Sequence, residues 1–250
     1  SLVWGTRGVL RFGLITALSA AILGVVIGAI SGYIGGTFKM LTMRFTDAFL
    51  AFPLIAGVWL FRTVMQTANL ELVDYNNFVP VKVPGTPFQQ LVLALDVDPV
   101  MLTLILFSWM PFARIISANV TVLKQTEYVQ AAQVLGARPR RIIFRHLLPN
   151  AIAPAIVLLA RDIGGMVIMQ TAFAFIGVSG TVNSTAIPEW SRLLMLGRHW
   201  IIGQGGNPLT YWWLYLPVTL ALILFGVGWN LMGDGLNMVL NPRTRARFTP

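Results

Sequence analysis

The chain is built from long apolar runs separated by short polar segments. A helix that crosses a bilayer needs about 20 mostly apolar residues, and several runs reach that length. Residues 12–38 contain no charged side chain, which places a first span at about 12–36. Residues 48–70 are broken only by Arg62 and residues 99–123 only by Arg114, giving spans at 48–70 and 99–121. Residues 150–188 carry only the neighbours Arg161 and Asp162, and a fourth span falls in their middle at 154–177. A fifth falls at 209–232. The pattern predicts an all-α membrane protein with five spanning helices, and one domain over residues 1–250.

Composition narrows this further. Apolar residues make up 56% of the chain and charged residues 11%, where a soluble domain carries about 25% charged. Mean hydropathy is +0.73. The sequence has no cysteine, which excludes a disulfide-stapled domain, zinc–thiolate sites and iron–sulfur clusters. His146 and His199 are the only histidines, so no metal site is read. The net charge is +9. Its basic residues sit in short clusters between apolar runs, the pattern of membrane topology rather than of a phosphate-binding face. The lipid bilayer is therefore the expected surrounding, and no nucleic acid partner is expected.

The same clusters orient the chain. Lys124, Arg138, Arg140, Arg141 and Arg145 lie between the third and fourth spans, and Arg243, Arg245 and Arg247 in the tail. Two spans separate the groups, so both lie on one side, and basic residues concentrate in the cytoplasm. A short turn with Lys39 and Arg44 falls there too. The C-terminus is thus expected in the cytoplasm, and residues 1–11, 71–98 and 178–208 outside, with Arg7 and Arg11 running against the rule. Ser1 is not Met, and the chain reads as a piece of a longer protein.

Two features need packing explanations. Ala20, Gly24, Gly28, Gly32 and Gly36 recur every four residues, forming a helix stripe without side chains that lets two backbones approach closely in a membrane. Tight packing within one bundle, a homodimer contact and a conduction path all use such a stripe. Arg161 and Asp162 are charged inside an apolar run. Neighbours point about 100° apart on a helix and pair poorly, so each meets another helix, another subunit or a cavity, or both reach water near the membrane surface.

The segment 124–150 carries the most information. Thr126 is a good N-cap, and Glu127 suits the positive end of the helix dipole. Gly136 can end the short helix in the left-handed conformation, Pro139 can open a second, and Pro149 prevents its simple continuation. This predicts a helical hairpin between two spans. Its first helix sets the small Ala131 and Ala132 beside apolar Tyr128, Val129, Val134 and Leu135, where a partner backbone has room to approach.

Gln130-Ala131-Ala132, then Gly136, then Leu148-Pro149 resembles the cytoplasmic loop of the membrane subunits of bacterial ATP-binding-cassette importers. That loop reads Glu-Ala-Ala, three residues, Gly, nine residues, Ile, one residue, Leu-Pro. Gln130 replaces the Glu and His146 the Ile, but Arg145 to Asn150 fits the peptide-importer branch. The stretch from Arg44 to Pro53, Pro188-Glu189-Trp190, the stretch from Asn230 to Leu236 and Asn241-Pro242-Arg243 resemble the same branch. The chain is most similar to the second permease type of dipeptide and oligopeptide importers, in which one further helix usually precedes these spans. The resemblance implies a type I importer transmembrane domain forming half of a translocation pathway. It implies ATPase coupling through Tyr128, Gln130, Ala131, Ala132, Gly136, Leu148 and Pro149. The implied partners are a second homologous permease, two ATPase subunits and an external solute-binding protein. No cofactor is implied in this chain, since ATP and Mg would sit in the ATPases.

The remaining motifs are weak. Ala-Ala-x-x-Leu-Gly also occurs in DNA-binding helix-turn-helix units, but here both ends are tethered to membrane spans. No P-loop, zinc-protease or nucleophile-elbow motif occurs, so no enzyme activity is read. Asn119-Val120-Thr121 and Asn183-Ser184-Thr185 match the glycosylation pattern by chance. Residues 69–98 depart from the importer pattern as an external insertion, where Thr86 can cap a helix with Phe88, Leu91, Val92 and Leu95. A surface insertion, a cap over the pathway and an extra contact for a binding protein all fit. The rival function is an ATP-independent secondary transporter, which commonly shows internal repeats and broken helices with charges at the midplane. No repeat is seen between the halves, and only Arg161 and Asp162 are candidates for such charges.

Overall fold

In hydrocarbon a peptide group finds no water, so an apolar run satisfies its backbone by closing into a helix. The computed structural model describes residues 2–66, 71–74, 79–82, 86–87, 90, 98–178, 189–202 and 208–240. Helix α1 is Leu2–Ile34, α2 is Gly36–Leu50 and α3 is Leu54–Gln66. Strands β1, Glu71–Asp74, and β2, Val79–Lys82, follow. Helices α4, Pro99–Ser108, and α5, Met110–Leu123, lead to the hairpin. Beyond it lie α9, Ala153–Ile176, α10, Glu189–Ile202, a 3-10 turn at Pro208–Tyr211, and α11, Trp212–Leu240. The hairpin itself holds α6, Glu127–Val134, α7, Pro139–Arg141, a π-helical turn at Ile142–Leu147, and α8, Leu148–Ala151.

Among the described residues, Leu2–Ile34, Val100–Leu123, Ala153–Ile176 and Trp212–Leu240 are each long and apolar enough to cross a bilayer. The number rises to five if Gly36–Leu50 and Leu54–Phe61 count together as one interrupted span. The fourth run follows the expected 154–177 closely. Gly177, at φ 86°, ends α9, and the Val178 N–H donates to the Phe173 carbonyl at 2.9 Å, the glycine-terminated cap that satisfies the last carbonyls.

The second run departs from expectation. Residues 48–70 are not one helix: α2 begins at Gly36, stops at Leu50, and α3 restarts at Leu54. Pro53 has no N–H for the Phe49 carbonyl and disfavours a helical Phe52. The Phe52 N–H instead takes the Phe49 carbonyl at 3.1 Å. Lys39 and Arg44, expected in a turn, lie inside α2. In the third run Pro111 is the corresponding disturbance, two residues past Trp109, where α4 gives way to α5. The last helix continues past 232 to Leu240.

The segment expected as an insertion contains a two-stranded antiparallel ladder, with Glu71 opposite Lys82 and Asp74 opposite Val79. The Gln90 N–H donates to the Thr86 carbonyl at 3.0 Å, the first turn expected after Thr86. Phe88, Leu91, Val92 and Leu95 lie outside the described residues, as do Asn183-Ser184-Thr185 and the tail from Asn241.

The chain divides into two compact units. The first comprises Ser1–Phe12, Pro53–Leu104 and Ile168–Ala221. Here buried Asp98 caps α4: its Oδ1 accepts the Val100 N–H at 3.0 Å, and its Oδ2 accepts from Gln170 Nε2. Trp190 Nε1 donates to the Leu2 carbonyl at 2.9 Å, and the hydroxyls of Thr171 and Ser191 lie 3.0 Å apart.

The second unit comprises Gly13–Phe52, Ile105–Val167 and Leu222–Pro250. Its organising contact is α1 against α5. A Cβ at Gly28 would lie 2.5 Å from the Ala113 carbonyl oxygen, and one at Gly32 2.7 Å from that of Ser117. One at Gly24 would meet the Trp109 carbonyl. Ala20, fully buried, packs on Trp109, Met110 and Ala113 in the same row. Gly36 does not share this contact. It follows the end of α1 with φ 55°, and a Cβ there would meet nothing within 4 Å. Gly35, at φ 74°, has already ended the helix, a backbone open to glycine at little steric cost.

The close approach gives a direct test. Gly28→Val should lower stability by at least about 1–3 kcal/mol, because overpacking must displace backbone. Gly228→Ala, where a Cβ meets nothing within 4 Å, should stabilise the helix by up to about 1 kcal/mol. Thermal unfolding of the purified protein in detergent reads both, and equal midpoints would contradict the packing.

Candidate functional site

The hairpin begins where α5 ends. Lys124 Nζ donates to the Tyr33 carbonyl at 2.6 Å and stands 5.1 Å from the centre of that ring. This fixes the end of α1 to the start of the hairpin. Thr126 occupies the N-cap position with extended backbone, but its hydroxyl donates back to the Leu123 carbonyl at 2.6 Å rather than into α6. The capping is therefore positional. Gly136 takes φ 75°, its N–H donates to the Gln133 carbonyl at 3.0 Å, and the Ala137 N–H reaches Ala132 at 3.0 Å. Both bonds belong to the glycine-terminated cap.

Pro139 opens the return helix as its first residue. Pro149, expected to interrupt it, does not end the helical path. The six residues Ile142–Leu147 form a π-helical turn, and α8 continues over Leu148–Ala151. A π turn bonds five residues back instead of four, so the widened turn takes up the proline's missing donor. Asn150 Nδ2 caps the His146 carbonyl at 2.7 Å, and Asn119 Nδ2 donates to the Ala151 carbonyl at 3.2 Å. The Asn119 of the chance glycosylation match thus ties α5 to the far end of the hairpin.

The hairpin is amphipathic. Val129, Ile142 and Leu147 are buried against Ile116 and Val120 of α5, and each such aliphatic side chain contributes about 1.5–3 kcal/mol where water is excluded. On the opposite side Tyr128, Gln130, Ala131, Gly136 and Pro149 are exposed, Ala132 and Leu148 partly so. Val134 and Leu135 are 88% and 86% exposed at the tip. A concavity of about 530 Å³ runs under the tip, lined by Ala132, Leu135, Gly136, Ala137, Arg138, Arg141 and His146. The small residues leave room, the bare aliphatic pair supplies apolar area, and the arginines ring it with positive charge. An exposed apolar patch with a polar rim marks a protein interaction surface.

Among the described residues, two ion pairs lie elsewhere in this unit. Arg161 Nη2 of α9 donates to Asp234 Oδ1 of α11, with both side chains about half exposed, 48% and 52%. Gly233 lets the helices meet there: a Cβ would lie 3.0 Å from Arg161 Cγ. Asp162 is partly buried and forms no ion pair among the described residues. The two candidate charges therefore have different surroundings. A second pair joins Arg114 Nη2 of α5 to Asp47 Oδ1 of α2 at 2.9 Å, and Lys39 Nζ of α2 donates to Thr121 Oγ1 at 2.8 Å. Sequence reasoning passed over these pairs. Arg114 as the single charge in its run, and Asp47 in an apolar stretch, were the available signals.

Residues 24–246 match the family described as the binding-protein-dependent transport system inner membrane component. The chain belongs to this family. It is 28% identical over 245 residues to the dipeptide transport system permease protein of Alkalihalophilus pseudofirmus, covering 98% of this chain and 68% of that protein. The glutathione transport system permease protein of Pectobacterium atrosepticum is 27% identical over 245 residues, covering 98% of this chain and 69% of that protein. A chain from inward-facing structures of the MetNI methionine ABC transporter shares the fold, with a TM-score of 0.62, 16% identity and 96% of each chain covered. The permease is thus a multi-pass inner-membrane subunit of an importer, and the family places it apart from ATP-independent secondary transporters.

The Arg161–Asp234 pair can be weighed directly. Both ends keep about half their surface open, so a double-mutant cycle of Arg161→Gln and Asp234→Asn should give a coupling of about 1 kcal/mol or less. Thermal unfolding of the four proteins measures it. A coupling of several kcal/mol would mean that the pair is dry in the assembled transporter.

Proposed function

We propose that this permease is the membrane subunit of an ATP-driven importer of peptides. It forms half of the translocation pathway with a second homologous permease. Two ATPase subunits hold ATP and Mg on the cytoplasmic side, and an external binding protein delivers the solute. The peptide reading rests on the named relatives. The coupling role rests on one observation: the hairpin buries Val129 and Leu147 in the permease while leaving Ala131, Gly136, Val134 and Leu135 open. ATPase closure pushes on that open side. Tyr128, Gln130, Ala131 and Ala132 form the contacting helix face, Gly136 shapes its tip, and Leu148 and Pro149 join the return helix to α9. Arg161 and Asp162 act near this end of α9, in a subunit contact or beside the pathway.

Ala131→Trp fills the space needed by the partner without disturbing the buried side. It should leave the subunit inserted but reduce ATP-driven uptake to background and abolish ATPase co-purification. Gly136→Trp should do the same, whereas Gly136→Asn, which tolerates the left-handed backbone, should retain uptake. Normal uptake with Ala131→Trp would rule out docking at this face.

The orientation, with the hairpin and C-terminus in the cytoplasm, follows from the basic clusters. In intact cells Thr86→Cys should react with a membrane-impermeant thiol reagent. Arg140→Cys should react only once the inner face is opened. Labelling at position 140 in sealed cells would reverse the topology.

A further inference from the structure

Helix α2 mixes charged side chains with apolar ones, of which Phe38, Met40, Leu41, Phe45 and Leu50 are exposed. Its 15 residues include Lys39, Arg44 and Asp47, and Thr46 is the buried one among them. Arg44, Asp47 and Ala48 are exposed. On α5 the exposed positions Arg114, Ala118 and Val122 recur every four residues and form one stripe. The two faces are joined by the ion pair of Asp47 with Arg114, at 2.9 Å, and each of these side chains remains 52% exposed. Arg114 lies nine residues before Leu123, the end of its helix, which is about 13 Å of rise. The pair therefore sits well inside an apolar run and not at its rim.

Hydrocarbon is a poor environment for that surface, since charged groups at membrane depth face protein or water. The contrast with α11 is direct. Ile223, Leu224, Val227 and Leu231 are 51%, 71%, 49% and 65% exposed and entirely apolar, the surface expected against lipid. A dry protein neighbour would have to supply hydrogen-bonding groups to the open halves of a carboxylate and a guanidinium, or leave both ions desolvated and unpaired on that side. The residues beside them, Ala48 and Ala118, supply none. Water satisfies both without further design.

We infer that the face of α2 and α5 carrying Asp47 and Arg114 is the water-exposed wall of the permease's translocation path. This rests on the importer reading above. The pair makes the wall polar without net charge, so that a solute bearing both charges, such as a short peptide, meets neither an attractive trap nor a repulsive barrier there.

The absence of cysteine makes the test clean. Ala48→Cys, Ala118→Cys and the control Leu224→Cys are placed singly in the assembled transporter in inside-out membrane vesicles. A small membrane-impermeant methanethiosulfonate is the probe, and reaction requires a thiolate and hence water. Labelling at 48 and 118 in the nucleotide-free or the vanadate-trapped state, with none at 224, is the expected result. No labelling at 48 and 118 in either state overturns the inference. Asp47→Asn gives a second reading: beside water it assembles at the parental yield, whereas in a dry contact the lone Arg114 lowers the yield severely. ATP-driven uptake by the same vesicles separates the two levels. Uptake without labelling removes the wall and leaves the importer reading intact. Labelling without uptake by the parent transporter upholds the wall and defeats the importer reading.

Discussion

The approach of α1 to α5 is the contact on which the rest of the second unit depends. Lipid tails are as apolar as leucine, so helices inside a bilayer gain little from hiding apolar side chains and associate through close packing. Gly24, Gly28 and Gly32 allow this by presenting bare backbone to the carbonyls of Trp109, Ala113 and Ser117. The seam fixes α5, and α5 then serves two other elements. Its Ile116 and Val120 receive the hairpin's Val129 and Leu147, and its Arg114 and Thr121 receive α2 through Asp47 and Lys39. Lys124 closes the arrangement on the Tyr33 carbonyl at the end of α1. One side-chain-free stripe thus positions the hairpin, many residues away in sequence.

Different forces hold the two halves of this arrangement. Within the apolar helices, packing of small residues and the pairing of isolated charges dominate. In the hairpin, burial of Val129, Ile142 and Leu147 anchors one face. The exposed Val134 and Leu135 leave apolar area unspent on the other. A single helix pair cannot satisfy both requirements with the same residues. Both faces run along the two arms on either side of the left-handed Gly136.

What could be read from the sequence was whatever local chemistry dictates. Gly136 in the left-handed region, Pro139 as a first helical residue and the extent of α9 follow from rules acting over a few residues. Run length alone did not reveal that Pro53 splits the second run, because hydropathy counts apolar residues and ignores the missing proline donor. It also placed Gly36 on the packing stripe. The four-residue spacing continues through it, but Gly35 had already ended the helix. The partner of Arg161 lies 73 residues away at Asp234, a distance over which spacing carries no information. Asp47 and Arg114 were visible as lone charges of opposite sign, yet nothing in the sequence alone said that they meet.

The π turn at Ile142–Leu147 has a consequence for how sequences of this kind align. A ring closed five residues back contains one residue more than an α-helical ring. Everything after it is therefore rotated by about 100° relative to an unbroken α-helix of the same residues. The interval between Gly136 and Leu148-Pro149 is thus a phase as well as a length. Losing one residue within it would let the turn relax to ordinary α-helix and leave α9 on the same face, whereas relaxation with no residue lost would turn α9 by that angle. A gap of one, which turns everything beyond it in an ordinary helix, is absorbed in this interval by the loss of the wide turn.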